Sequence, residues 1–126
     1  MEKKTHLVIT ALLVGAFILA AVFYLSAAAP PEEDPEALAA CLKEQGAVFY
    51  GAFWCSHCQA QKKAFGGAAD SLPYVECSTP DGQGRTDACR EKNITAYPTW
   101  EFADGSRLSG ELDMETLAKK TGCGLP

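Results

Sequence analysis

Hydrophobic and polar positions divide the chain into two unlike parts. Leu7 to Leu25 (LVITALLVGAFILAAVFYL) is an uncharged apolar run of 19 residues. As a helix rising 1.5 Å per residue it would extend roughly 28 Å, close to the hydrocarbon thickness of a bilayer. After it, apolar positions come in short bursts separated by Pro, Gly, Asp and Ser. Pro35 to Glu44 reads as a helix, with Asp34 at the N-cap, Pro35 at the first helical position, Leu38, Cys41 and Leu42 at helical spacing, and Gly46 as the stop. Ala47 to Trp54 (AVFYGAFW) is apolar throughout, as a strand covered on both faces would be. Cys58 to Ala69 reads as a helix with Gln59, Gln61, Lys62 and Lys63 at its polar positions, weakened by Gly66-Gly67.

Tyr74 to Cys77 predicts a second strand, Ser78 to Gly84 a loop and Thr86 to Lys92 a short helix. Thr99 to Ala103 and Arg107 to Gly110 flank Asp104-Gly105, a hairpin signal. Asp113 then caps a last helix, Met114 to Lys120, whose Lys119 and Lys120 suit a C-terminus. A βαβ unit followed by a ββα unit predicts an α/β domain: a mixed four-stranded sheet with helices on both faces. The expected organisation is an N-terminal stub and anchor over residues 1–27, a Pro- and acid-rich linker over 28–34, and one small domain over 35–126.

Charge places the domain relative to the membrane. Lys3 and Lys4 precede the apolar run, and Glu32, Glu33, Asp34 and Glu36 follow it. This asymmetry predicts a cytoplasmic N-terminus and a domain on the exported side: periplasmic, otherwise extracytoplasmic, or lumenal. Two readings of the run compete, a retained signal anchor and a signal peptide cut near Ser26-Ala27-Ala28. Its length exceeds the 7–15 residues of a signal-peptide core, and Pro30 crowds the cut site, so retention is the expectation. Without Lys3, Lys4 and Glu2, nine Lys/Arg face fifteen Asp/Glu, a net charge of −6. Such an acidic domain with no basic patch argues against nucleic acid as a partner.

Six cysteines (Cys41, Cys55, Cys58, Cys77, Cys89 and Cys123) are many for about ninety residues, and in an exported chain they point to disulfides. Cys55-Ser56-His57-Cys58 is the pair set too close to be mainly structural, since so short a loop restrains the unfolded chain little. It lies at a strand-to-helix junction. Backbone N–H groups at the helix start stabilise a thiolate on Cys55, making it the nucleophile and leaving group, with Cys58 one turn in as the resolving thiol. His57 between them adds a positive charge when protonated, which favours the reduced form and so a more oxidising disulfide. Zinc would need further ligands at short spacing, whereas eleven residues separate Cys77 from Cys89. Covalent haem would need His directly after Cys58, where Gln59 stands. No metal or cofactor is expected. Tyr97-Pro98-Thr99 is the second feature. A proline opening a strand removes a ladder donor, and a cis bond there would leave its neighbour's backbone free to pair with an extended substrate. A turn proline is the plainer reading of those three residues alone.

Together these residues resemble a known family. Trp54-Cys55-x-x-Cys58 at a strand–helix junction, with Pro98 before a ββα unit, resembles the thioredoxin-like fold. That resemblance implies a cis Tyr97-Pro98 bond packed against the active-site pair, with Trp54, Tyr97 and Pro98 as substrate contacts. More narrowly, YGAFWCSHCQAQKKAFG, LPYVEC, Cys89 and ITAYPTWEF are similar to the thioredoxin-like domain fused to bacterial and plant vitamin K epoxide reductase homologues, over roughly Ala37 to Gly122. This implies a Cys77–Cys89 disulfide pinning the loop beyond the second strand.

Two departures carry weight. The reductase's four-helix membrane bundle, with its quinone site, has no counterpart beside the one apolar span. A quinone-linked membrane partner is therefore expected to be a separate polypeptide. Thioredoxin is expected to carry a buried acid six residues before its first active cysteine, and Phe49 stands there, which leans the chemistry towards oxidation. Cys41 and Cys123 lie outside the pattern; they either bridge the first and last helices of the domain or pair with another chain. The expected function is oxidation of cysteine thiols in exported substrate proteins. The alternatives are a disulfide reductase or isomerase, and a non-catalytic binding module of the same fold.

Overall fold

The computed structural model describes residues 1–27 and 34–124. The chain divides into two compact units, Met1–Glu32 and Glu33–Pro126. The first is helix α1, Glu2–Ala27, which contains the whole Leu7–Leu25 run and is apolar on every side. It is long and apolar enough to cross a membrane. Its central polar side chain is satisfied within the helix, because the Thr10 hydroxyl donates back to the His6 carbonyl at 2.9 Å. Of the expected 28–34 linker only Asp34 lies among the described residues, and Ala28 of the candidate cleavage site lies outside them.

The second unit opens with α2, Pro35–Glu44. The Asp34 carboxylate accepts from the Glu36 and Ala37 N–H groups, and Gly46 ends the turn at φ 73°, where a side chain would be strained. Strand β1 is Val48–Gly51, followed by α3, Ser56–Ala64, and a 3₁₀ turn, Gly66–Ser71. Then come β2, Tyr74–Glu76; α4, Asp87–Glu91; β3, Thr99–Glu101; β4, Arg107–Ser109; and α5, Met114–Thr121. The sheet order is β2-β1-β3-β4, with β1 parallel to β2 and antiparallel pairing from β1 to β3 and from β3 to β4. This is the thioredoxin-like arrangement: a mixed four-stranded sheet with helices on both faces.

Strand alternation assigns the faces. Phe49, Tyr74, Trp100 and Phe102 join Leu38, Leu42, Cys58, Phe65 and Leu117 in the larger core. Phe49 stacks on Trp100 with centroids 4.7 Å apart and meets Tyr74 edge-on at 5.1 Å. Tyr50, Cys77, Cys89 and Ile94 form a smaller core on the other face. Phe49 is therefore the centre of the sheet's packing, as its fully apolar strand context requires.

Several boundaries differ from the sequence expectation. The strand expected over 47–54 ends at Gly51, because the chain must turn there to start α3. The helix expected over 58–69 begins at Ser56 and stops at Ala64, and Gly66 at φ 53° converts the remainder to 3₁₀ geometry. Gln61, expected on the polar side, is buried. Its side chain donates to the Leu112 carbonyl at 2.9 Å and accepts the Leu112 N–H at 2.7 Å, clamping α3 to the segment before α5. An amide satisfied on both sides can be buried at little cost.

Two disulfides staple the domain. Cys41 on α2 joins Cys123 beyond α5 at a Cα–Cα distance of 6.0 Å, spanning 82 residues, so of the two arrangements left open for these cysteines the structure has the bridge within the chain. Cys77 joins Cys89 on α4 across 12 residues. Chain-entropy reasoning gives about 4.5 kcal/mol for a loop of the first length and about 3 kcal/mol for the second. Cys41→Ala/Cys123→Ala should therefore destabilise the domain more than Cys77→Ala/Cys89→Ala, as read by chemical denaturation without reductant.

Candidate active site

The site is built where β1 stops. Ala52, Phe53 and Trp54 turn the chain, and the Cys55 N–H returns to the Ala52 carbonyl at 3.0 Å. Cys55 is the N-cap of α3: its sulfur accepts the Cys58 N–H at 3.4 Å while its carbonyl accepts the Gln59 N–H at 3.1 Å. A sulfur in that position faces the free N–H groups and positive end of the helix, which stabilise it as a thiolate. Cys55 and Cys58 are both unbonded thiols, 8 % and 1 % exposed. Burial pushes the Cys58 thiol up to about 12, reinforced by its hydrogen bond to Cys55 and by the nearby Cys55 and Glu76 charges. The two sulfurs are thus chemically unequal, with the outer one at the helix start and the inner one buried and held protonated.

Gly51 makes room for the inner sulfur. A Cβ on Gly51 would fall 3.0 Å from Cys58 Sγ and 2.8 Å from Tyr74 Cε2, so sulfur and ring edge fill the space a side chain would need. Above Cys55, the Tyr97–Pro98 bond is cis, and the Tyr97 carbonyl accepts the Cys55 thiol at 3.8 Å. Pro98 is buried and its carbonyl accepts the Gly110 N–H. The Trp54 ring meets Tyr97 edge-on at 6.0 Å, and its indole N–H donates to Ser78 Oγ at 2.9 Å. Trp54 and Phe53 are about half exposed (54 % and 49 %), an apolar rim beside the two unbonded cysteines. The loop after Cys77 supports that rim, since a Cβ on Gly82 would lie 3.7 Å from both aromatic rings.

Cys55, Cys58, Trp54, Tyr97 and Pro98 therefore come together, while the Cys77–Cys89 disulfide sits on the opposite face of the sheet at the base of the supporting loop. His57 points to the outside of α3, and its Nδ1 lies 2.6 Å from Glu111 Oε1. Glu111 escaped sequence reasoning because it is 54 residues away in an ordinary turn. Glu76 and Ser78 escaped it too. They read as strand and loop residues, yet they hold the backbone and side chains of Phe53 and Trp54. Among the described residues no group of three or more His, Cys, Asp or Glu side chains is arranged to hold a metal ion.

Fold and site together define a thioredoxin-like domain carrying a Cys-x-x-Cys pair at the start of a helix. No family model matches the chain. A relative named thiol-disulfide oxidoreductase LTO1, from Arabidopsis thaliana, is 48 % identical over 94 residues, which are 71 % of this chain and 24 % of that protein. The chain thus matches about a quarter of the relative's length. Among solved structures, thioredoxin O2 from Arabidopsis thaliana in the oxidised state is 17 % identical and covers 71 % of this chain and 84 % of its own, with a TM-score of 0.39.

Two outcomes follow from this geometry. Gly51→Ala should cost about 1–3 kcal/mol in chemical denaturation, because the methyl must displace a sulfur and a ring from a close-packed site. The second concerns pH. With the Cys58 thiol raised from 9.0 to about 12 in the fold, the unfolded chain loses its proton first as pH rises. The stability this contributes is complete below about 9 and is lost towards about 12. Denaturation of the dithiol and disulfide forms at increasing pH should show the dithiol form weakening relative to the disulfide form across that window.

Proposed function

We propose that this chain is a thiol–disulfide oxidoreductase that oxidises cysteine thiols of exported proteins, held at the membrane by α1. The observation that carries the reading is the unequal sulfur pair. Cys55 caps a helix beside an apolar rim and a cis-proline, and Cys58 is buried one turn behind it. The name of the 48 % identical relative supports the same chemistry.

In the oxidising direction a substrate thiolate attacks Cys55 Sγ of the Cys55–Cys58 disulfide. A mixed disulfide forms and Cys58 leaves, taking up a proton. A second substrate thiolate then attacks the substrate sulfur of that mixed disulfide and releases Cys55 as a thiolate. The substrate has lost two electrons and the protein pair has gained them. Trp54, Tyr97 and Pro98 act as the substrate shelf, with the Tyr97 backbone pairing an extended peptide. His57 favours the reduced form from the rim, and Cys77–Cys89 stiffens the loop beneath Trp54. Regeneration passes the two electrons and two protons to a separate quinone-linked membrane oxidoreductase, of the vitamin K epoxide reductase kind to which the sequence resemblance points. The charge asymmetry about α1 supports an exported domain. With this organisation, residues 1–27 form the stub and anchor, 28–34 the linker and 35–126 the catalytic domain.

The reduction potential of Cys55–Cys58, measured against glutathione with Cys55→Ser as control, tests the reading. A value well above thioredoxin's, about −270 mV, is expected. A value at or below it would replace oxidation by reduction, and a pair inert to exchange would leave only a binding module. Cys58→Ala should trap substrates and the membrane partner on Cys55 in cells.

A further inference from the structure

Beside the larger core stands a half-buried carboxylate that the exchange chemistry above does not use. Glu76 ends β2, where its Cα is paired with that of Gly51, so it lies beside the glycine whose missing side chain accommodates Cys58 Sγ. Tyr74 and Glu76 are two residues apart on one strand and point to the same face, the face on which α3 packs. Three donors hold the Glu76 carboxylate. Oε1 accepts the Phe53 N–H at 3.2 Å and the Ser78 N–H at 2.8 Å, and Oε2 accepts the Tyr74 hydroxyl at 2.8 Å. Burial and the Glu76 carboxylate push the Tyr74 hydroxyl up, which keeps it a donor. Every one of these contacts suits an ionised carboxylate, which has only acceptors to offer. Phe49 leaves no acid on β1, and the negative charge reaches this face from the neighbouring strand instead.

We propose that Glu76 is a positioning residue of the exchange: a pinned negative charge that repels charge on the Cys58 sulfur and so prolongs the mixed disulfide on Cys55. The raised Cys58 thiol, to which Glu76 contributes, agrees with this. The groups around Cys58 are few. From α3 come Cys55, Lys62 and, on the outer side, His57 with its partner Glu111. From β2 come Tyr74 and Glu76, and the end of β1 and the turn after it offer only Gly51 and Ala52, which carry no charge. Lys62 is one turn beyond Cys58, and its ammonium lies 3.4 Å from the centroid of the Tyr74 ring. It brings a positive charge to the ring whose hydroxyl Glu76 accepts.

The step affected is resolution. With glutathione disulfide as oxidant, Cys55 attacks one glutathione sulfur, forms the mixed disulfide and releases one glutathione thiolate. Cys58 then loses its proton to water or buffer, and its electron pair forms the bond to Cys55 Sγ. The bond from Cys55 to glutathione breaks, and the second glutathione leaves as a thiolate that takes up a proton. Two electrons pass from the protein dithiol to glutathione disulfide. A fixed negative charge lowers the thiolate fraction of Cys58 and slows this second step alone. For a one-unit fall in the Cys58 titration, the larger thiolate fraction outweighs the lower nucleophilicity, giving about a three- to fourfold gain in rate.

This inference rests on the exchange reading above, and one experiment separates their failures. The full chain in detergent, reduced and mixed with glutathione disulfide, is quenched with acid over time and its species are weighed by mass spectrometry across a range of pH. Glu76→Gln keeps an acceptor for the two backbone N–H groups and removes the charge. It should speed resolution at neutral pH, by at most about three- to fourfold, and move its pH profile lower, with the first step changed less than about twofold. Glu76→Asp, which retains the charge, should stay near the native profile. Slower resolution in Glu76→Gln would make Glu76 a proton acceptor and overturn the proposal, as would an unchanged profile. Equal effects of Gln and Asp would reduce Glu76 to a structural clamp. Should Glu76→Gln not fold, Lys62→Gln, which removes the ammonium over the Tyr74 ring, decides: it should slow resolution and move the profile upward, and no response overturns the proposal. Failure of the native chain to form any mixed disulfide at Cys55 would instead sink the exchange reading itself.

Discussion

The structure depends on one constraint: β1 must end and α3 must begin between Gly51 and Ser56, so that one sulfur caps the helix and the other is buried behind it. A longer strand would carry Cys55 away from the helix start, and a later helix would leave its sulfur without backbone donors. Gly51 allows the close approach because it is the one β1 residue on that face with no side chain to meet Cys58. The inequality of the two thiols follows from this junction rather than from the identity of the residues between them.

Around the junction, charge and packing act in opposite senses. The helix N-terminus favours negative charge at the rim, whereas burial and Glu76 oppose it one turn deeper. A nucleophile and a resolving thiol must differ in this way if one is to react with solvent-borne partners and the other only with its neighbour. Glu111 engages His57 at the surface, where solvent weakens the pair, while Glu76 acts from a half-buried position that water screens less.

The scaffold holds this arrangement by long-range ties. Gln61 clamps α3 to Leu112, Phe49 stacks between Trp100 and Tyr74, and Cys41–Cys123 joins the two ends of the domain. A domain of this size has a limited core, and cross-links supplement it. The Ser78–Arg85 loop, anchored at its base by Cys77–Cys89, braces the half-exposed aromatic rim beside the thiols.

Much of this was legible in order along the chain. Asp34 and Asp113 before helical periodicity, Asp104-Gly105 between short apolar runs, and the Cys-x-x-Cys pair after an unbroken apolar stretch all act through neighbours in sequence, so local chemistry determines them. The single uncharged run of α1 is legible for the same reason. Gln61 was misread as a solvent-facing residue, because helical periodicity cannot tell a satisfied buried amide from an exposed one. Phe49 leaves β1 without an acid, yet nothing local shows that parallel pairing brings Glu76 to the same face of the sheet. At the Cys55–Cys58 site, then, sequence alone determined where the cysteine pair stands and which sulfur lies at the helix start. The tertiary structure decided what surrounds it (Glu76, Glu111, Ser78 and the Gly51 hollow), because electrostatic field and steric room are set by residues far apart in the chain that only sheet register and packing bring together.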